Sequence, residues 1–155
     1  MVTDNKLKTK MIEGLGLPQD FLYLMTEIVR YREKRLATLL HQQGISLHEW
    51  RALRILNSFK GQVSMSELIN HSQTDRTALG RTIDQLVKRG WVERFTDPND
   101  KRAFYLCVTS DSEKIFEQVW TLVTDFDQTL LSHVDEQDRT SIRNILKKIL
   151  SHTHV

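Results

Sequence analysis

The sequence predicts a mainly α-helical fold with one small antiparallel sheet, and three observations predict it. Apolar residues recur at helical spacing over most of the 155 residues, and capping signals interrupt them. From Asp75 to Arg89, residues Leu79, Ile83, Leu86 and Val87 form a single apolar stripe. Past Gly90 the period changes from helical to alternating. Trp91–Phe95 and Ala103–Thr109 there flank the turn formers Asp97, Pro98, Asn99 and Asp100. A short helix, a turn, a longer helix and a hairpin in that order make a winged helix-turn-helix, spanning approximately residues 46–109.

The elements follow in order. Met1–Lys10 is polar and basic. From Gln19 to His41 the pattern is helical, through Phe21, Leu22, Met25, Ile28, Val29, Leu36, Leu39 and Leu40, and Gly44 closes it. Ser46 and Glu49 make a capping box for a second helix running to Phe59. Gly61–Val63 is a short extended link able to pair with the wing. A second capping box, Ser64 and Glu67, starts a third helix ending near Asn70 or His71. Thr74 is placed to cap the fourth.

After the wing, Ser110 and Glu113 read as another cap. A long helix then carries Phe116, Val119, Trp120, Val123, Phe126, Leu130 and Leu131. Asp135 starts the last helix, with Ile142, Ile145, Leu146, Ile149 and Leu150 on one side. The whole chain, 1–155, reads as one domain. Its ends, approximately 10–44 and 110–155, are longer and more apolar than a lone winged helix needs, and they read as dimerisation helices. Two subunits would place two recognition helices on two half-sites of a pseudopalindromic duplex.

The chemistry lies on the other face of the fourth helix. At about 100° per residue, Arg81 falls opposite the apolar stripe, with Thr77, Asp84, Gln85 and Lys88 around it. Guanidinium, hydroxyl, amide and ammonium groups are the donors that suit base edges and phosphates. Ser64, Thr74 and Arg76, at or beside the starts of the third and fourth helices, join this set, because a helix N-terminus attracts phosphate. Lys101 and Arg102 sit just beyond the wing tip, in reach of a phosphate or the adjacent minor groove. Asp97, Asp100 and Arg94 organise the wing, Asp100 by accepting hydrogen bonds in the turn or by pairing with a nearby arginine such as Arg94. Each charge alone would be an ordinary solvated side chain; the helix and the basic wing together point to double-stranded DNA.

Composition sets bounds. Lys plus Arg number 22 against 20 Asp plus Glu, a formal charge of +2, so positive potential must be local. Asp75, Asp84, Glu93, Asp97 and Asp100 interleave with the basic residues and shape a groove-like patch. The single cysteine, Cys107, excludes an intrachain disulfide and suits a reducing cytoplasm. No apolar run approaches the ~18 residues of a membrane helix, and no signal-peptide core opens the chain. The expectation is a soluble cytoplasmic protein. The six histidines form no metal-ligand grouping beyond the terminal pair His152 and His154, and Cys107 reads as a small packed side chain. No phosphate loop or nucleophilic triad is present. Neither catalysis, a metal nor a cofactor is expected.

Residues 79–109 resemble the core of the MarR (multiple antibiotic resistance regulator) family of winged-helix transcription factors. The resemblance rests on Arg81, Asp84, Leu86, Lys88-Arg89-Gly90, Arg94, Asp97-Pro98, Asp100-Lys101-Arg102, Leu106 and Thr109. The order of elements is similar over nearly the whole chain. Gly80 stands where that family commonly has Thr, and Asn99 where Arg is frequent. The resemblance implies a homodimeric DNA-binding repressor released by a small ligand. It also implies a ligand crevice, for which Tyr31, Trp50, Arg51 and Trp120 are candidates suited to a phenolic or carboxylated aromatic effector. Redox-sensing members carry a cysteine near the N-terminus, and this chain does not. The alternative is a winged-helix module that binds protein partners without specific DNA binding. Such a module should expose an apolar patch, whereas the exposed helix face here is Thr77, Arg81, Gln85 and Lys88.

Overall fold

Capping chemistry decides where the helices of this chain begin and end. The computed structural model describes residues 20–72, 74–96 and 104–152. In order they form α1 (Asp20–Gln42), α2 (Leu47–Ser58), β1 (Val63–Ser64), α3 (Met65–His71), α4 (Arg76–Lys88), β2 (Val92–Thr96), β3 (Phe104–Val108), α5 (Ser110–Leu130) and α6 (Glu136–Ser151). Contacts divide the chain at Thr109/Ser110 into two compact units.

In the first unit, both expected capping boxes form. Ser46 caps α2 reciprocally with Glu49, and Ser64 caps α3 reciprocally with Glu67. α1 and α4 end in the same way. Gly44 and Gly90 adopt φ values of +70° and +68°, which side chains with a Cβ resist. At Gly44, the N–H donates to the His41 carbonyl and the Ile45 N–H reaches back to Leu40. At Gly90, the N–H donates to Val87 and the Trp91 N–H to Leu86. These are two Schellman motifs, each placing an apolar pair, Ile45 with Leu40 and Trp91 with Leu86, at the helix exit.

The sheet is three-stranded and antiparallel, in the order β1-β3-β2. Val63 pairs with Leu106, and Arg94 also faces Leu106 across the other edge. The extended link after α2 therefore joins the wing strands as expected. Leu36 and Leu40 of α1, Trp50, Leu53 and Leu56 of α2, Leu68 of α3, and Leu79, Ile83 and Leu86 of α4 are buried with Val63, Val92 and Leu106. α1 thus contributes its C-terminal half to the winged core.

In the second unit, the side chain of Asp135 accepts the Asp138 N–H at 2.8 Å and caps α6. Arg139 ties the preceding turn, its guanidinium donating to the carbonyls of Val134 and Leu131 at 2.8 and 2.6 Å.

Four local expectations are corrected. Asp75, not Thr74, caps α4: its carboxylate accepts the N–H groups of Thr77 and Ala78 at 2.9 and 3.1 Å. An ionised carboxylate is the stronger acceptor for these donors and also favours the positive end of the helix. α5 starts at Ser110 itself, so Ser110 lies within the helix rather than capping it. The first long wing strand starts at Val92 instead of Trp91, because the Trp91 N–H is spent on closing α4. The alternation expected in β3 is muted: Leu106 is buried, while Phe104, Tyr105, Cys107 and Val108 are all half-buried.

Candidate nucleic-acid interface

α4 is amphipathic in the sense its sequence predicts. Leu79, Thr82, Ile83 and Leu86 are buried, and the buried Thr82 hydroxyl is satisfied by the Ala78 carbonyl at 3.0 Å. Arg76, Thr77, Arg81, Asp84, Gln85 and Lys88 are exposed. Among the described residues, no ion pair holds Arg76, Arg81 or Lys88. Their donors stand available along one face of a helix whose other face is fixed in the core. Thr74, half-buried, lies in the turn ahead of Asp75.

Ser64 is more committed than a free contact residue would be. Its hydroxyl donates to Glu67 Oε2 at 2.7 Å and accepts the Glu67 N–H at 3.2 Å. The Ser64 hydroxyl and backbone N–H hold the Glu67 carboxyl below the ordinary glutamate range. The Ser64 oxygen keeps a lone pair for an outside donor, but its proton is taken.

At the wing, Arg94 reaches back to the recognition helix. Its Nη2 donates to Asp84 Oδ1 at 2.8 Å, and its guanidinium carbon lies 4.3 Å from the centre of the Phe104 ring. Arg94 therefore joins β2, β3 and α4 at one point. Asp97, Asp100, Lys101 and Arg102 lie outside the described residues, and the expected Arg94–Asp100 pairing with them.

The structure adds a residue that sequence reading placed only within a basic run. Arg89, the C-terminal cap of α4, donates through Nη1 to Glu49 Oε1 at 3.0 Å and through Nη2 to the Gly44 carbonyl at 2.8 Å. Its guanidinium also stacks on Trp91, 3.6 Å from the ring centre. Glu49 is only 6% exposed. Burial pushes its carboxyl up, but the Ser46 backbone N–H, the Ser46 hydroxyl and Arg89 together outweigh this, and the net is a lowered pKa. These partners are 40 and 45 residues apart in sequence, so no local pattern announces them.

The candidate effector residues have different surroundings. Trp50 is buried at 3% exposure, while Tyr31 is 52% and Trp120 50% exposed. Arg51 pairs with Glu33 of α1. Trp120 stacks on Phe116 of its own helix at 5.8 Å. Among the described residues, no group of three or more His, Cys, Asp or Glu side chains is arranged to hold a metal ion. No helix among them is long and apolar enough to cross a membrane.

A winged helix-turn-helix with a polar, cation-bearing recognition face is the class that α3, α4 and the β2–β3 wing define. The sequence model of the MarR family matches residues 45–104. The multiple antibiotic resistance protein MarR of Escherichia coli (strain K12) is 38% identical over 85 residues, 54% of this chain and 59% of that protein. The HTH-type transcriptional regulator FarR of Neisseria gonorrhoeae is 33% identical over 106 residues, 68% of this chain and 66% of its own length. The chain thus spans about three fifths to two thirds of these curated relatives. A crystal structure of a mutant Escherichia coli MarR complexed with operator DNA superposes with a TM-score of 0.74 at 29% identity, covering 86% of this chain and 94% of that one. The chain belongs to the MarR family.

Proposed function

We propose that this protein is a homodimeric, sequence-specific DNA-binding transcriptional regulator, acting as a repressor on a pseudopalindromic operator. The observation that carries this reading is the α4 surface: Arg76, Thr77, Arg81, Gln85 and Lys88 stand exposed on a helix whose opposite face is buried among α2 and the sheet. Such a helix can enter a major groove without losing its support. The operator-bound state of the related Escherichia coli protein supports the same use of this fold. Ser64, Thr74, Lys101 and Arg102 are proposed as flanking phosphate contacts, with Arg94, Asp97 and Asp100 organising the wing.

The test is a fluorescence-anisotropy titration against a duplex selected by the protein from a random-sequence pool. Specific binding should weaken steeply as salt rises, because phosphate contacts release counterions. Failure to select any sequence would leave only the protein-interaction reading. A small aromatic or phenolic effector is proposed as the releasing ligand, with Tyr31, Arg51 and Trp120 as the accessible contact candidates. Trp50 would take part only if the core around it repacked. Tryptophan-fluorescence titration of phenols and aromatic acids, with and without the selected duplex, tests this. An effector that weakens DNA binding must itself bind less tightly to the DNA complex by the same factor.

A further inference from the structure

We propose that Arg89 is a positioning residue for DNA selectivity: it fixes the C-terminal end of the recognition helix α4 against the α1–α2 corner without itself touching DNA. The proposal rests on the DNA-binding reading of α4. Its basis is that one guanidinium makes three engagements with three other parts of the fold. It donates to the carbonyl of Gly44 at the exit of α1, and to the Glu49 carboxylate in the first turn of α2. Its flat face lies on Trp91, at the entry to β2. The second oxygen of Glu49 is held at 2.8 Å by the N–H of Ser46, the residue that caps α2. The carboxylate is thus a rigid post rather than a mobile surface acid.

The chemistry explains why an arginine serves here. A planar fork can satisfy a carboxylate and a carbonyl on separate nitrogens while stacking on an indole, and an ammonium cannot do all three. One N–H on each terminal nitrogen of Arg89 is therefore engaged inside the protein, and its ring-facing side is covered by Trp91. The exposed groups of Arg81, Gln85 and Lys88 are the ones left to meet DNA. At its N-terminal end α4 is held by its Asp75 cap, and along its length by Leu79, Ile83 and Leu86. Arg89 is the polar tie at the other end. A helix of 13 residues is about 20 Å long, so a tilt of roughly 10° moves one end by about 3 Å. That is enough to take a side chain out of hydrogen-bonding range of its base edge.

The selected duplex and a scrambled duplex of equal length are titrated with wild type, Arg89→Gln, Arg89→Lys and Glu49→Gln at several salt concentrations. Arg89→Gln should lose at least tenfold in affinity for the selected duplex and little for the scrambled one, with the salt slope unchanged. Arg89→Lys, which keeps the ion pair, should recover part of the preference. Glu49→Gln should lose preference in the same direction, and the double variant should lose no more than the worse single variant. Because Glu49 is nearly buried, its variant tests the tie even if Arg89→Gln folds poorly. A salt slope lowered by about one unit, with both duplexes weakened alike, would mean that Arg89 contacts a phosphate and would overturn the proposal. So would a wild-type preference that survives in Arg89→Gln, or additive losses in the double variant. A wild-type chain that selects no duplex overturns the DNA reading itself, and this role with it.

Discussion

Arg81 and Glu49 show how a charged side chain can be read two ways until its neighbours are known. Arg81 stands exposed in the middle of α4, and among the described residues no carboxylate pairs with it. Its guanidinium is free to take a bidentate pairing with guanine. Arg81→Ala should lose roughly 1–3 kcal/mol of specific binding and relax preference at one base position per half-site. The melting temperature should hardly move, since the side chain leaves the core untouched. A collapsed melting curve with discrimination intact would make Arg81 structural. Glu49 is the converse, a charge kept inside. Its folded carboxyl lies below the ordinary value of ~4.3, so its contribution to stability is full above that pH and is lost as pH falls through the folded value. Glu49→Gln should therefore melt lower than wild type near neutrality. The gap should narrow as the pH falls below the ordinary glutamate range. A gap independent of pH would mean that the charge itself contributes nothing.

Among the elements, α4 carries both the clearest sequence signal and a built-in weakness. Gly80 sits inside the helix, and a Cβ added there meets nothing within 4 Å. Glycine in a helix interior is less favourable than alanine because the unfolded chain has more freedom to lose. Gly80→Ala should raise stability by about 0.5–1 kcal/mol, measured by urea denaturation with an unchanged m-value. A loss of stability would show that the open space is filled in solution. The capping boxes at Ser46 and Ser64, the glycines at Gly44 and Gly90, and the stripe through Leu79, Ile83 and Leu86 were legible because each is a local pattern with a local cause. Asp75 displaced Thr74 as the cap because two acceptable cap residues were adjacent, and spacing alone does not choose between them. The Asp84–Arg94 tie and the Arg89–Glu49–Gly44 tie were not legible, since both join elements whose approach only the folded chain defines. The exposed polar face of α4 was read correctly from periodicity; what each of its side chains contacts was not contained in that periodicity.

At the scale of the whole molecule, the question is what covers the apolar surface that the two ends of the chain display. α6 has no buried residue, and Ile142, Ile145, Ile149 and Leu150 are between 39% and 55% exposed. In the N-terminal half of α1, Phe21, Leu22, Ile28 and Val29 are also exposed. A 16-residue helix is marginal in water without packing, and an apolar stripe left exposed along it marks an interaction site. A second copy of the chain is the proposed cover, because two recognition helices held about 34–36 Å apart match half-sites one turn apart. Ile145→Asp places a charge in the middle of the α6 stripe, where burial without a partner is strongly unfavourable. The variant should sediment as a monomer at micromolar concentration, and wild type should sediment at twice the chain mass. Because the first unit keeps its own core of Leu40, Leu53, Ile83 and Leu106, its helical circular dichroism should persist in large part. Operator affinity should nevertheless fall at least tenfold, since each chain then binds a single half-site without the benefit of the linked second contact. A variant that stays dimeric would place the interface elsewhere. A monomer that binds operator as well as wild type would remove dimerisation from the mechanism.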